Sequence, residues 1–199
     1  MNKAYSETSK VAGPAVEISE WDLIQKCQKG DMTAYEELAA KYYRRVLTVV
    51  LGMLHHPEDA MEVAQETFYR AFRNIKRFKG GSSFYTWLYR IAVNLAIDFQ
   101  RRQKRGSLDF KENMDEVIVE TEDLRSDPYR ETRDRQLGQK LLAAIEELTP
   151  DHKAVIVMRA VEGLSYKEIG RVMGCSEGTV MSRLHYARKK LQEKLGSYL

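Results

Sequence analysis

The 199-residue sequence has few of the residues that mark secreted, metal-binding or membrane-spanning proteins. Its two cysteines, Cys27 and Cys175, are far apart and outside any CxxC pair, which argues against a disulfide framework and a common zinc site. No apolar run approaches the ~18 residues of a membrane span. Residues 1–18 lack the apolar core of a secretory signal. We therefore expect a cytoplasmic protein without membrane insertion.

The sequence also lacks a recognisable catalytic or cofactor motif. His55 and His56 precede Pro57 without a cysteine or carboxylate at metal-ligand spacing, and the single Gly-Gly pair lies in no phosphate-binding motif. The two cysteines fit small packed residues better than redox switches. We expect no bound metal, no cofactor and no enzymatic activity.

The net charge of +3 is too small to indicate nucleic-acid binding by itself, but the charge is unevenly distributed. Residues 101–105 (RRQKR) are basic, and residues 106–134 carry 4 basic against 10 acidic side chains. Residues 135–199 carry 11 basic against 7 acidic side chains. An acidic segment therefore separates two segments that each end basic.

Helical periodicity and helix breakers predict an all-α protein of two small domains. We interpret residues 1–18 as a flexible tail, 19–104 as a four-helix domain, 105–131 as a flexible acidic linker and 132–199 as a second domain of four short helices. Ser19 and Asp31 are suitable N-caps, and Pro57 suits a first helical position. Helices are expected to resume near Arg133. The linker stretch VIVE is compatible with a strand but has no partner segment.

The segment GLSYKEIGRVMGCSEGTVMSRLHYARKKL, from Gly163 to Leu191, has the outline of a helix-turn-helix. Ser165 and Glu168 form a capping box, Gly174 suits a left-handed C-terminal position, and Ser176 caps the last helix. Helical spacing places one apolar stripe on that helix: Val180, Leu184, Ala187, Leu191 and Leu195. The remaining side fits either major-groove reading, with phosphate contacts from Arg188, Lys189, Lys190 and Lys194, or a solvated basic face.

Two segments carry a resemblance to a known family. GTVMSRLHYARKKL is similar to the GTVxSRLxxAR element of bacterial RNA polymerase sigma factors of the extracytoplasmic-function (ECF) group, within the sigma-70 family. The segment DAMEVAQETFYRAFRNIKRFKGGSSFYTWLYRIAVNLAIDFQRR resembles the first conserved domain of that group, and FYTWLYRIAVN resembles its sigma-E-like members. The matches follow the family's order and spacing. The resemblance implies a polymerase subunit with a sigma-2-like first domain and a sigma-4-like second domain.

The resemblance implies that the helix-turn-helix reads the promoter −35 element. The residues it assigns to that contact are Ser176, Glu177, Gly178, Thr179, Met181, Ser182, Arg183, His185, Tyr186, Arg188 and Lys189. Many family members have Arg or Lys at the position of Met181 and Arg at that of Tyr186, and loss of one bidentate arginine removes about 1–3 kcal/mol of base discrimination. Either the −35 preference differs, or Ser182, Arg183 and His185 carry it.

The resemblance also implies that the first domain recognises and melts the −10 element. The residues it assigns are Phe78, Lys79, Gly80, Ser82, Trp87, Tyr89, Arg90, Asn94, Arg101 and Arg102. Phe78 and Asn94 are expected to form the pocket for a flipped base. Trp87, Arg90 and Asn94 share one side of the fourth helix, which suits base stacking and base-edge contacts. Tyr85 and Tyr89 lie on the other side, where packing in the core is the competing interpretation.

The third predicted helix carries an acidic stripe that suits a basic partner protein. By resemblance this face, made of Asp59, Glu62, Gln65, Glu66 and Tyr69, docks on the clamp coiled coil of the largest subunit of core RNA polymerase. The other expected partners are the flap region of the polymerase, promoter DNA and a cognate anti-sigma factor. An ordinary solvated acidic face is the alternative.

Two other functional classes compete with a sigma factor. One is an autonomous helix-turn-helix transcriptional regulator with a helical sensing or dimerisation domain, and the other is a protein-interaction adaptor with no DNA role. The aromatic segment FYTWLYRIAVN discriminates between them. A simple repressor has no use for a single-strand reader, so this segment favours the sigma factor.

Overall fold

The computed structural model describes residues 19–106 and 128–196, with side chains for 19–105 and 137–196. Within these ranges it has eight α-helices, one 3-10 turn at Ile75–Arg77 and no strand, which confirms the all-α prediction. The helices are α1 (Glu20–Gln28), α2 (Met32–Leu54), α3 (Pro57–Asn74), α4 (Phe84–Gly106), α5 (Pro128–Glu146), α6 (Pro150–Ala160), α7 (Tyr166–Met173) and α8 (Glu177–Leu195).

Local capping sets most of the helix starts. The Ser19 side chain accepts a hydrogen bond from the backbone N–H of Asp22 at 3.1 Å, and the Asp31 side chain accepts one from Ala34 at 3.0 Å. Pro57 occupies the first turn of α3. These three starts confirm the predictions. The Ser19 and Asp31 caps each satisfy a backbone N–H that has no partner within the helix, and Pro57 lacks the N–H that would need one.

The start of α5 differs from the prediction. The helix begins at Pro128 rather than near Arg133, so its first turn lies inside the predicted linker. Proline is favoured in a first helical turn, where its missing N–H costs nothing. The predicted tail, residues 1–18, and the rest of the linker, including VIVE, lie outside the described residues.

Helices α1–α4 form the first domain around an apolar core. Its fully buried members include Leu38, Val46, Val50, Met53 and Leu88. The Gln28 side-chain amide donates to the carbonyls of Ile75 and Phe78 at 3.0 and 2.8 Å. These bonds fix the loop before α4 against α1, so the loop that carries several predicted −10 residues has a defined position.

Helices α5–α8 form the second domain, in which α8 packs on α5, α6 and α7. The second domain also packs on the first, because α6 and α7 contact α2 and α4. Arg45 pairs with Glu162 at 2.7 Å, and the Tyr85 hydroxyl donates to the same carboxylate at 3.2 Å. Most buried apolar residues of the two domains belong to one contiguous cluster. The sequence had not predicted this interface.

Candidate nucleic-acid interface

The helix-turn-helix has the geometry that its capping residues predict. The Ser165 hydroxyl accepts from the N–H of Glu168 at 3.3 Å, and the Glu168 carboxylate accepts from the N–H of Ser165 at 2.8 Å. Helix α7 ends at Gly174 in the left-handed conformation, and Ser176 caps α8. A Cβ at Gly170 would lie 2.8 Å from the carbonyl oxygen of Cys175, so the absence of a side chain lets the turn close.

The orientation of α8 leaves an exposed strip along its outer side. Val180, Leu184, Ala187 and Leu195 are buried, as the predicted apolar stripe requires, and Leu191 is half-buried. The predicted −35 residues that are exposed are Ser176, Glu177, Gly178, Met181, Ser182, His185, Tyr186, Arg188 and Lys189. Thr179 and Arg183 are half-buried. The structure therefore brings nine of the eleven predicted residues onto one accessible helix surface.

The two half-buried residues have structural partners. The Thr179 hydroxyl lies 2.9 Å from that of Ser176, at the N-cap of α8. Arg183 pairs with Asp151 of α6 at 3.2 Å, and its guanidinium lies 3.9 Å from the Sγ of Cys175. Arg183 therefore links α8 to α6 and to the turn. Its motif gave no signal of this role, since Asp151 lies in another helix.

Two large side chains on the strip are unusually exposed for their type. Met181 is 53% exposed and Tyr186 is 61% exposed. The Tyr186 ring lies 6.3 Å from the imidazole of His152, nearly parallel to it, and 5.9 Å edge-on from that of His185. Neighbouring rings thus restrict Tyr186 without covering it.

Not all of the basic residues near the end of α8 point away from the protein. The Lys194 ammonium lies 2.8 Å from the Glu147 carboxylate, and the Lys190 ammonium donates to the Glu147 carbonyl at 2.8 Å. Arg188 and Lys189 are exposed. Arg188 and Lys189 are therefore the predicted phosphate contacts that the fold leaves most accessible.

The aromatic residues near the start of α4 pack mainly against one another. The Phe78 ring is 6% exposed and lies 5.7 Å from Phe84 and 5.4 Å from Trp87. Tyr89 is completely buried, 4.1 Å from the Tyr85 ring, and this burial strongly raises the pKa of its hydroxyl. In this conformation the Tyr89 side chain is therefore inaccessible to DNA, which corrects its expected placement on the −10 surface and favours the competing interpretation, packing in the core.

A surface pocket lies between α1 and the loop before α4. Its lining residues are Glu20, Trp21, Ile24, Phe78, Lys79, Gly80, Ser82, Ser83 and Phe84. Gly80 has φ +74°, and a Cβ there would lie 3.1 Å from the Trp21 ring. Glu20 and Trp21 were not among the predicted −10 residues. The Trp21 side chain is 43% exposed, a property that the sequence does not reveal. Asn94 is exposed on α4 and does not line this pocket.

The predicted −10 cations differ in their surroundings. Lys79, Arg90, Arg101 and Arg102 are all exposed, as is Asn94, whereas Ser82 and Trp87 are half-buried. However, the Arg90 guanidinium donates to the carbonyl of Arg171 in α7 at 3.1 Å through Nε, and Arg101 pairs with Asp151 at 3.3 Å. Two of these cations therefore contact the second domain in this conformation.

The predicted core-binding face lies on the solvent side of α3. Glu62, Gln65 and Tyr69 are exposed, and Asp59 and Glu66 are partly exposed. Glu66 pairs with Arg70 at 2.6 Å on the same helix. The opposite side of α3 buries Ala60, Val63, Ala64 and Ala71. The acidic stripe therefore faces solvent and does not pack in the protein core.

Among the described residues, no group of three or more histidine, cysteine, aspartate or glutamate side chains is arranged to hold a metal ion. No helix in the described part of the chain combines the length and apolarity needed to cross a membrane.

Comparisons with known proteins agree on both domains. The profile of Sigma-70 region 2 matches residues 38–106, and that of Sigma-70, region 4 matches residues 138–191. The RNA polymerase sigma-H factor of Pseudomonas aeruginosa is 33% identical over 178 residues, covering 87% of this chain and 92% of the relative. The ECF RNA polymerase sigma-E factor of Haemophilus influenzae is 34% identical over 187 residues, covering 91% and 97%.

Solved structures show the same fold at lower identity. CnrH in complex with the cytosolic domain of CnrY superimposes with a TM-score of 0.63 at 22% identity, covering 89% of this chain and 97% of that one. The sigma factor RpoE of Bartonella quintana, in complex with the anti-sigma factor NepR, gives a TM-score of 0.64 at 22% identity, covering 83% and 98%.

Proposed function

The chain belongs to the extracytoplasmic-function group of RNA polymerase sigma factors, and we propose how its exposed surfaces divide the work of transcription initiation. As a sigma factor the protein directs promoter-specific transcription by RNA polymerase. The match to Sigma-70 region 2 decides against an autonomous helix-turn-helix regulator. The observation that carries the proposal is the presence of two separate exposed surfaces, on α4 and α8, in the two segments that match the family.

The outer strip of α8 would read the −35 element in the major groove. A groove about 12 Å wide admits one helix, and the N-terminal turns of a recognition helix reach the base edges. Glu177, Met181, Ser182, His185 and Tyr186 occupy those turns and are exposed. Arg188 and Lys189 follow on the same helix and would contact phosphates.

The loop before α4 and the exposed side of α4 would bind the −10 element as a single strand. The pocket between Trp21, Phe78 and Gly80 suits a flipped base, because aromatic walls stack on a base and compensate for the few kcal/mol that extrusion costs. Asn94 would contact a base edge, and Arg102 a phosphate. Tyr89 is left out of this proposed surface, because its side chain is completely buried in the closed conformation.

The acidic face of α3 would dock on the clamp coiled coil of core RNA polymerase, and the second domain on the flap region. A carboxylate-rich exposed surface complements a basic partner and accelerates its association. We propose that a cognate anti-sigma factor covers the same surfaces in the inactive state. The structural neighbour RpoE was solved in complex with the anti-sigma factor NepR, and CnrH in complex with the cytosolic domain of CnrY. The protein would act in the cytoplasm without catalysing a reaction itself.

The contact between the domains would have to open on the promoter. Arg90 of α4 donates to the Arg171 carbonyl of α7, and α7 packs on α8, so one helix separates the candidate −10 surface from the candidate −35 surface. The two promoter elements, by contrast, are separated by roughly 25 base pairs, or about 85 Å at 3.4 Å per base pair. One closed molecule cannot reach both, so binding to the polymerase would separate the domains.

The direct test is transcription by core RNA polymerase on genomic DNA with the protein added, followed by start-site mapping. New start sites that share two upstream sequence elements are the expected result. An unchanged transcript set would contradict the proposal.

A charge-reversal variant tests the docking face. Asp59→Lys, Glu62→Lys and Glu66→Lys together should abolish co-purification with core polymerase while leaving the unfolding midpoint nearly unchanged. The matched control reverses Glu36 and Glu37, two exposed acids of α2, and should co-purify normally. Retention of the α3 variant on core enzyme would refute the assignment of this face.

A further inference from the structure

The part of α8 that would enter the groove is nearly devoid of available cations. Residues 177–186 read EGTVMSRLHY, with one arginine and no lysine, asparagine or glutamine. That arginine, Arg183, has a side chain only 27% exposed, and it is paired with Asp151 at 3.2 Å. These residues, 177–186, are called the reading turns below. They present glutamate, methionine, serine, histidine and tyrosine to the bases.

The next cations lie outside residues 177–186. Arg188 follows Arg183 by five positions, about 7.5 Å further along the helix axis at 1.5 Å per residue. Lys167 and Arg171 belong to α7, and the first helix of a helix-turn-helix crosses the phosphate backbone instead of entering the groove. These side chains supply affinity for phosphates but do not identify bases.

Each base pair selects a particular partner in the major groove. Guanine is read by bidentate Arg or Lys and adenine by bidentate Asn or Gln, whereas the thymine methyl group is read by apolar contact. The reading turns expose two large side chains that can make such apolar contacts, since Met181 is 53% and Tyr186 is 61% exposed. The exposed chemistry thus favours thymine over guanine.

The two apolar residues also lie in suitable places around the helix. At 100° per residue Met181 and Tyr186 are about 140° apart, with Ser182 and His185 between them. When the middle of this arc faces the groove floor, its two edges face opposite strands. Tyr186 is held by the His152 and His185 rings, and the flexible thioether of Met181 adapts to a methyl group.

We propose that Met181 and Tyr186 each contact a thymine methyl group, on opposite strands, so that this sigma factor selects A·T or T·A at two positions of the −35 element. The inference rests on the proposed −35 role of α8 and names the bases that it reads. It also gives the two residues that depart from the family pattern a positive role in specificity. Ser182 and His185, between them, remain able to donate to or accept from either pair.

The test uses holoenzyme and removes only the methyl groups. Promoters are selected from a pool randomised through the −35 region, and each thymine of the winning sequence is then replaced by deoxyuridine. We expect a loss of about three- to fivefold in holoenzyme affinity at two positions, the value of burying one methyl group. Met181→Ala should lose the sensitivity at one position and Tyr186→Ala at the other.

The converse variant and a control complete the design. Met181→Arg should shift the selected base at its own position towards guanine. Lys189→Ala should weaken every promoter by the same factor and keep both deoxyuridine effects. Selection of guanine by the unmodified holoenzyme at the Met181 and Tyr186 positions, or no deoxyuridine effect, overturns the thymine inference alone. No selected −35 sequence at all overturns the −35 assignment of α8 as well.

Discussion

Helices α4 and α8 both carry residues assigned to DNA, but they are embedded very differently. Helix α4 is covered on one side by α2 and α3 and on another by α6 and α7, so most of its aromatic rings point into protein. Helix α8 packs on α5, α6 and α7 of its own domain and keeps one side open. An aromatic side chain on a helix that is packed on two sides is therefore expected to contribute to the protein core rather than to contact DNA. Reading bases requires the kind of exposed strip that α8 has.

The largest expected effect separates two tyrosines on these helices. Tyr89→Ala empties a fully buried site in α4 and should lower the free energy of unfolding by about 3–5 kcal/mol. Tyr186→Ala removes an exposed ring of α8 and should change the unfolding free energy by no more than about 0.5 kcal/mol. Urea unfolding followed by circular dichroism measures both.

The conservative variant of the buried tyrosine distinguishes packing from hydrogen bonding. The Tyr89 hydroxyl is buried without a hydrogen-bond partner among the described residues. Tyr89→Phe should therefore keep or slightly increase the stability, because it removes an unsatisfied polar group. It should also leave promoter affinity unchanged. A selective loss of −10 binding in Tyr89→Phe would restore the DNA role that burial argues against.

A second prediction concerns α6, the helix against which both α4 and α8 pack. Lys153 of α6 is 5% exposed, and burial lowers the pKa of its ammonium group from 10.5 to about 8. Below pH 8 the group is protonated in both states, so the folded state carries the full cost of burying the charge. That cost disappears as the pH rises from 8 to 10.5, so the stability should increase across this range by on the order of 3 kcal/mol.

Lys153→Met isolates this effect from other titrations. The variant keeps a side chain of similar length, removes the charge, and should be more stable than the native chain at pH 7 by a similar amount. The difference between the two proteins in urea unfolding should shrink as the pH approaches 10. A difference in unfolding free energy that stays constant from pH 7 to 10 would show that the Lys153 ammonium group is exposed to solvent in the folded protein.

A third prediction tests the exposed part of α4. Asn94→Ala should leave the stability unchanged while removing about 1–3 kcal/mol of discrimination at one base of the −10 element. Asp98→Ala, one turn further along the exposed side of α4, is the matched control and should preserve the −10 preference. Open-complex formation on promoters mutated singly through the −10 element provides the measurement. Equal base preference in Asn94→Ala and native holoenzyme would argue that α4 positions DNA without reading it.

The difference between α4 and α8 also explains which features the sequence could predict. Helix starts follow from neighbours three or four residues apart, such as Ser165 with Glu168, so the caps and the helix-turn-helix were predicted correctly. The apolar stripe of α8 was equally local. The interface between the domains was not, because Arg45 and Glu162 are 117 positions apart in the chain. Periodicity identifies the two sides of α4 but not the helices that cover them, so it left Tyr89 between core packing and DNA contact and could not predict the partner of Arg90.

The smallest expected effect probes the phosphate contacts of α8. Lys189 is exposed, and its 4.0 Å pair with Glu193 on the surface contributes little. If Lys189 neutralises one phosphate, Lys189→Ala should reduce the slope of log affinity against log salt concentration by about 0.9 and weaken all promoters alike. Gln192→Ala, an exposed uncharged neighbour, should leave the slope unchanged. Promoter titrations of holoenzyme at several salt concentrations measure the slope, and an unaltered slope in Lys189→Ala would place the phosphate backbone beyond the reach of this side chain.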